Sequence, residues 1–168
     1  PCVFPKGHKQ HKLQEGNPDG WNEMIDTNIK GLLYVSRAVL PGMVNRGSGQ
    51  VINIGSIAGH EVYPGGNVYC ATKHAVGAIT RGMRIDLVDS PIRVATIDPG
   101  LVETEFSEVR FDGDKDRAGS VYKGYQPLSG ADIAETAVWI ASRPPHVQIA
   151  EVIIFPTAQR SAMIVHKE

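Results

Sequence analysis

Three short aliphatic and β-branched runs, 50–55 (QVINIG), 92–97 (IRVATI) and 151–155 (EVIIF), are each preceded by a segment of helical periodicity. That order constrains the fold more than any other feature of the chain. Short, near-continuous apolar runs are the pattern of strands covered on both faces. Strands that alternate with helices lie parallel and are joined by right-handed crossovers, which predicts a layered α/β domain.

The helical segments can be placed from their spacing. Met24, Ile25, Ile29, Leu32, Leu33, Val39, Leu40, Met43 and Val44 predict one long helix near 20–45, ending at Gly47-Ser48-Gly49. Ala71, Ala75, Ala78, Ile79, Met83, Leu87 and Val88 predict a second over 67–89, whose small residues let another helix come close. Ser129-Gly130-Ala131-Asp132 has capping-box spacing and starts a third that runs to about residue 142. The polar stretch 103–128 reads as loop or short helix.

Length and composition set the outer limits. The 168 residues suit one domain with a real core. Residues 1–16 carry Lys6, Lys9, Lys12, His8 and His11, no acid before Glu15, and no period of either kind. They read as a poorly ordered arm ahead of a domain spanning 17–168. His8 and His11 lack the further ligands a metal site needs, so no metal is expected. A formal charge of −1 offers no basic field for nucleic acid or an anionic membrane. No apolar run approaches the roughly 18 residues of a membrane span. Cys2 and Cys70 make no disulfide framework, which points to a reducing, cytoplasmic setting.

The chemistry concentrates in Tyr69-Cys70-Ala71-Thr72-Lys73. Residues four apart on a helix share a face, so the phenol of Tyr69 and the ammonium of Lys73 can serve one site. An unperturbed phenol, with a pKa near roughly 10, is a poor acid or base at neutral pH. A nearby cation favours the phenolate and brings the group toward a useful range. Spacing alone proves little, since by composition roughly one tyrosine in seventeen has a lysine four residues later. Ser56 adds context. It follows the first predicted strand in Asn53-Ile54-Gly55-Ser56, at the carboxyl end where open α/β sheets bind ligands, as do Pro99 and Gly100 after the second. A hydroxyl there can hold a substrate oxygen toward Tyr69. Taken alone, Ser56 is more often a turn residue or helix cap. Cys70 lies about 100° around the helix from Tyr69 and reads as a packing residue.

From about Gly16 to its end the sequence resembles the short-chain dehydrogenase/reductase family. Ser56, Tyr69 and Lys73 match its Ser…Tyr-x-x-x-Lys arrangement, and Asn28, within Asp26-Thr27-Asn28-Ile29-Lys30-Gly31, matches its catalytic asparagine. Pro99, Gly100, Val102 and Thr104 resemble the Pro-Gly-x-Val-x-Thr segment beside the nicotinamide. The resemblance implies an oxidoreductase that moves hydride between NADP or NAD and an alcohol or carbonyl compound. It implies that Tyr69 transfers the proton and that Ser56 orients the substrate oxygen. Lys73 tunes Tyr69 and binds the nicotinamide ribose, and Asn28 holds a water linking Lys73 to solvent. A homo-oligomer, dimer or tetramer, is implied through the helices at 20–45 and 67–89. A finer resemblance, to NADP-dependent 3-hydroxy acid dehydrogenases including serine and allo-threonine dehydrogenases, rests on Gly65-Gly66-Asn67-Val68-Tyr69, Pro99-Gly100-Leu101-Val102, Thr104-Glu105-Phe106-Ser107, Val109-Arg110-Phe111 and Val165-His166-Lys167. It favours NADP and implies a substrate carboxylate, for which Arg110 is the candidate clamp.

One family feature does not occur in these residues. The glycine-rich fingerprint Thr-Gly-x-x-x-Gly-x-Gly, which would receive the pyrophosphate at a helix N-terminus, and the later Asn-Asn-Ala-Gly segment have no match. The sequence therefore reads as the C-terminal part of a doubly wound, Rossmann-like fold, with the N-terminal strands and glycine-rich loop absent from it. The 50–55 strand is then expected at a sheet edge. Two functional classes are open: an NAD(P)-dependent oxidoreductase, or a catalytically inactive fragment acting through subunit contacts.

Overall fold

The structure, a computed structural model, describes residues 12–105 and 115–168. A short 3-10 turn at Leu13–Glu15 leads into α1 (Pro18–Ile25), which Asn17 caps by accepting the Asp19 N–H at 3.0 Å. Pro18 suits the first turn, where its missing N–H costs nothing. A π-helical turn, Asp26–Gly31, joins α1 to α2 (Leu32–Asn45). Next in the chain are β1 (Gln50–Ile54), a 3-10 turn (Ile57–Gly59), α3 (Asn67–Asp86) and β2 (Arg93–Pro99). Further on come α4 (Lys115–Val121), α5 (Gly130–Ala141) and β3 (Glu151–Ile154).

The strands form a parallel three-stranded sheet in the order β1-β2-β3. The layered, Rossmann-like α/β arrangement expected from the element order is the one that forms, and β1 lies at an edge. Register follows the pleat. Asn53 pairs with Thr96, and Thr96 with Glu151, so this row faces one side. Val51 and Val94 face the same side and pack with Leu40, Met43, Ile79 and Met83 from α2 and α3. The opposite side shows Ile52, Ala95, Ile97, Val152 and Ile154 to Ile133, Ala137 and Ile140 of α5. Ile97 and Ile140 are fully buried, each burial contributing about 1.5–3 kcal/mol. A third cluster, Met24, Ala58, Tyr69 and Cys70 with Trp21, Tyr63 and Val68, ties α1 and the Ile57–Gly59 turn to the start of α3.

Two predicted helices differ in detail. The single helix expected near 20–45 begins at Pro18 and is interrupted by the π turn. A π turn carries more residues per turn than an α-helix and re-phases the helix beyond it. The apolar period survives this because α1 and α2 address different partners: Met24 packs on α3, while Leu32, Leu40 and Met43 pack toward the sheet. The helix expected over 67–89 ends at Asp86, where Leu87 leaves helical geometry. The expected capping box does start α5: Asp132 donates its N–H to Ser129 Oγ at 3.3 Å and Ser129 donates its own to Asp132 Oδ2 at 2.7 Å. Among the described residues, no helix is long and apolar enough to cross a membrane.

Candidate active site

The first turns of α3 carry Tyr69 and Lys73, both buried, at 7% and 3% exposure. Lys is rarely buried this deeply without a built environment. Here the ammonium donates to the Ile54 carbonyl at 3.3 Å, at the carboxyl end of β1, and lies 5.8 Å from the centre of the Tyr69 ring. The shared helix face thus brings the phenol ring and the ammonium together, with the ammonium against the end of the first strand.

Ser56 sits where that strand ends. It is extended (φ −174°, ψ 157°) and caps the Ile57–Gly59 turn, its Oγ accepting the Ala58 N–H at 3.1 Å. The hydroxyl caps a turn, which is one of the two readings of Ser56. Its own proton is left to donate, as one hydroxyl both accepts and donates. The turn is pressed onto α3: a Cβ at Gly59 would stand 2.8 Å from the Lys73 carbonyl oxygen, so glycine permits this close approach.

Asn28 lies on the π turn, buried, and donates from Nδ2 to Thr72 Oγ1 at 3.2 Å. Thr72 Oγ1 in turn donates to the Tyr69 carbonyl at 2.8 Å. Asn28 is therefore tied to the turn of α3 that holds Tyr69 and Lys73. π turns inside α-helices recur at functional sites, and this one sets a polar side chain in an otherwise apolar helix contact.

Pro99 closes β2, and Gly100 begins the segment beyond it. Gln159, 2% exposed, accepts the Leu101 N–H through Oε1 at 2.8 Å and donates from Nε2 to the Ser161 carbonyl at 2.9 Å. A Cβ at Gly100 would stand 2.2 Å from that Oε1, so the glycine admits the glutamine. Val102 bridges to Leu128, whereas Thr104 is exposed in a turn. Arg110, the candidate carboxylate clamp, lies outside the described residues, as do His8 and His11. Cys70 is fully buried and packs in the Tyr69 cluster.

Three positions with site roles escape motif reading: Thr72, Gln159 and Asp98. Asp98 is 3% exposed, and its Oδ1 accepts the Ser56 N–H at 3.2 Å. Burial holds its carboxyl above the ordinary range, partly offset by a hydrogen bond from His60. The sequence signal was an acid closing the apolar run IRVATI, a place where a charge needs a partner. His60, Asp98 and Glu151 gather their ligating atoms within 4.8 Å of one another. His60 Nε2 is 3.3 Å from Asp98 and 3.4 Å from Glu151, and Arg81 is 3.9 Å from Glu151.

The chain as a whole has relatives among known proteins. A model of the short chain dehydrogenase family matches residues 6–115. An NADP-dependent 3-hydroxy acid dehydrogenase of Schizosaccharomyces pombe is 45% identical over 157 residues, covering 94% of this chain and 61% of that protein. One from Salmonella typhi is 50% identical over 151 residues, covering 89% and 61%. The solved closed form of a serine dehydrogenase complexed with NADP+ superposes with a TM-score of 0.90 at 43% identity, over 98% of this chain and 67% of that one. The chain spans about three fifths of the length of the curated relatives it matches. With the family model covering most of the sequence and the parallel sheet formed as in these relatives, the chain belongs to the short-chain dehydrogenase family.

Proposed function

We propose that this chain carries the proton-transfer and substrate-orienting half of an NADP-dependent oxidoreductase acting on a hydroxy acid or its carbonyl counterpart. One observation carries the reading: a buried phenol and a buried ammonium lie one turn apart on α3, the ammonium on the end of β1 that leads into Ser56 and the phenol ring packed with Ala58 of the turn that Ser56 caps. The names of the relatives support NADP and a 3-hydroxy acid as the reactants.

The donor set suits the nicotinamide-ribose half of the cofactor. Lys73 and Tyr69 would hold the ribose hydroxyls, and Pro99, Gly100, Val102 and Thr104 would border the nicotinamide. When bound, the cofactor supplies or accepts the hydride. In the reductive direction Tyr69 Oη gives its proton to the substrate oxygen, and in the oxidative direction it takes that proton back. Lys73, a fixed positive charge on the same helix face, favours the phenolate that forms. Ser56 donates its hydroxyl proton to the substrate oxygen and fixes its direction toward Tyr69. Asn28 links this turn of α3 to the π turn and would hold a water through which the proton is replaced. Arg110 would clamp the substrate carboxylate bidentately.

The pyrophosphate half needs a glycine-rich strand-to-helix turn, which these residues do not contain. A calorimetric titration with NADPH and NADH therefore tests the proposal first. Saturable binding that favours NADPH, followed by turnover of 3-hydroxy acids, is expected. No binding at millimolar concentration would favour the alternative, an inactive chain acting through subunit contacts. Arg110→Ala should raise KM for hydroxy acids much more than for neutral alcohols, and equal effects would remove the clamp.

A further inference from the structure

The proposed chemistry does not use Asp98, yet Asp98 governs where Ser56 sits. It is the penultimate residue of β2, and its side chain is 5% exposed. Its two oxygens face different neighbours. Oδ1 reaches across to the chain leaving β1 and accepts the Ser56 N–H at 3.2 Å. The same oxygen fills the space where residue 55 would carry a side chain, since a Cβ at Gly55 would stand 1.7 Å from it. Gly55 and Asp98 thus form one device: the glycine makes room for the carboxylate, and the carboxylate captures the next amide. The Gly55 N–H donates to the Ile97 carbonyl at 2.8 Å, so β2 holds two consecutive amides of this segment.

Oδ2 faces the far end of the same turn, 3.3 Å from His60 Nε2. His60 also meets Glu151, with the Arg81 guanidinium beyond it, so the buried carboxylate stands at one end of a polar cluster that reaches Glu151 and Arg81. One side chain therefore holds the Ser56 amide at the start of this turn and stands beside His60 at its end. Nothing else among the described side chains holds the Ser56 amide. With that amide held by Asp98, the position of the Ser56 Oγ is set by its backbone and by the Ala58 N–H that it accepts.

We propose that Asp98 is a positioning residue: it orients the Ser56 hydroxyl by clamping its backbone, with Gly55 as the required complement. The proposal rests on the reading of Ser56 as the group that orients the substrate oxygen. Asp98 itself touches none of the reacting atoms.

A double-mutant cycle over Ser56→Ala and Asp98→Ala tests it, read as kcat, as cofactor Kd and as hydrogen exchange of the Ser56 amide. Asp98→Ala should lower kcat by up to roughly a hundredfold, the cost of a misplacement of about an ångström. In the Ser56→Ala background the same change should cost almost nothing more. Cofactor Kd should stay within about twofold, and Ser56 amide exchange should accelerate. Asp98→Asn keeps an oxygen in place to accept the amide and should recover most of the rate. If Asp98→Ala does not fold, Gly55→Ala displaces the carboxylate from the other side and should produce the same kinetic signature. Additive losses in the cycle, or an unchanged Ser56 amide in Asp98→Ala, would overturn the proposal. Wild-type turnover in Ser56→Ala is a separate result: it would remove the reading of Ser56, and the positioning role with it.

Discussion

At the residue scale, the site depends on putting polar groups where burial makes them expensive. Lys73 is more deeply buried than Tyr69 itself, and its ammonium meets a strand-end carbonyl rather than solvent. Thr72, between them in sequence, is turned inward to join Asn28 to the Tyr69 carbonyl. Substitution at Tyr69 isolates the chemistry from this scaffold, because phenylalanine keeps the ring that packs with Met24, Ala58 and Cys70. Tyr69→Phe should reduce turnover to background, a loss of at least roughly a hundredfold for a general acid/base. Circular dichroism and melting temperature should remain near wild type. A variant that turns over at the wild-type rate would sink the assignment of Tyr69.

At the element scale, the ends of helices and strands do most of the positioning. The π turn places Asn28, the Ile57–Gly59 turn places Ser56, and the segment after β2 is pinned by Gln159. Away from the site, the start of α5 shows how one cap couples to protonation. The Ser129 backbone and hydroxyl hydrogens hold the Asp132 carboxyl below the ordinary carboxylate range. A lowered folded-state value means that the stabilisation is present above the unfolded pKa and is lost as pH falls through the folded one. Ser129→Ala should cost about 1 kcal/mol of stability at neutral pH. The cost should shrink on acidification, as read from urea unfolding at neutral and acidic pH. An equal cost at both would show that the cap acts without the Asp132 charge.

At the scale of the whole molecule, the sheet has β1 at one edge and β3 at the other, and α2 carries exposed apolar side chains. Tyr34 and Val35 are 71% and 63% exposed, and Val35 shares a face of α2 with the exposed Val39, four residues on. We propose a homo-oligomer paired through α2 and α3, with α2 contributing these residues. Introducing charge by Val35→Glu together with Val39→Glu should lower the sedimentation mass toward that of the monomer. The melting temperature should drop modestly, through loss of the partner's stabilisation. An unchanged mass would move the interface elsewhere.

Periodicity and turn chemistry in the sequence were enough to determine the element order, the parallel sheet, the α5 capping box and the pairing of Tyr69 with Lys73 on one helix face. All of these depend on residues close together in the chain, where local geometry dictates which side chains meet. The π turn was not legible, because one helical period describes both α1 and α2 while their partners differ. The Asn28–Thr72 link, the Gln159 brace behind Gly100 and the Asp98 clamp on Ser56 join residues 44, 58 and 42 positions apart. No local pattern specifies such pairs. They arise when β1 and β2 align side by side and α3 settles on their shared face, burying polar atoms that must then find one another.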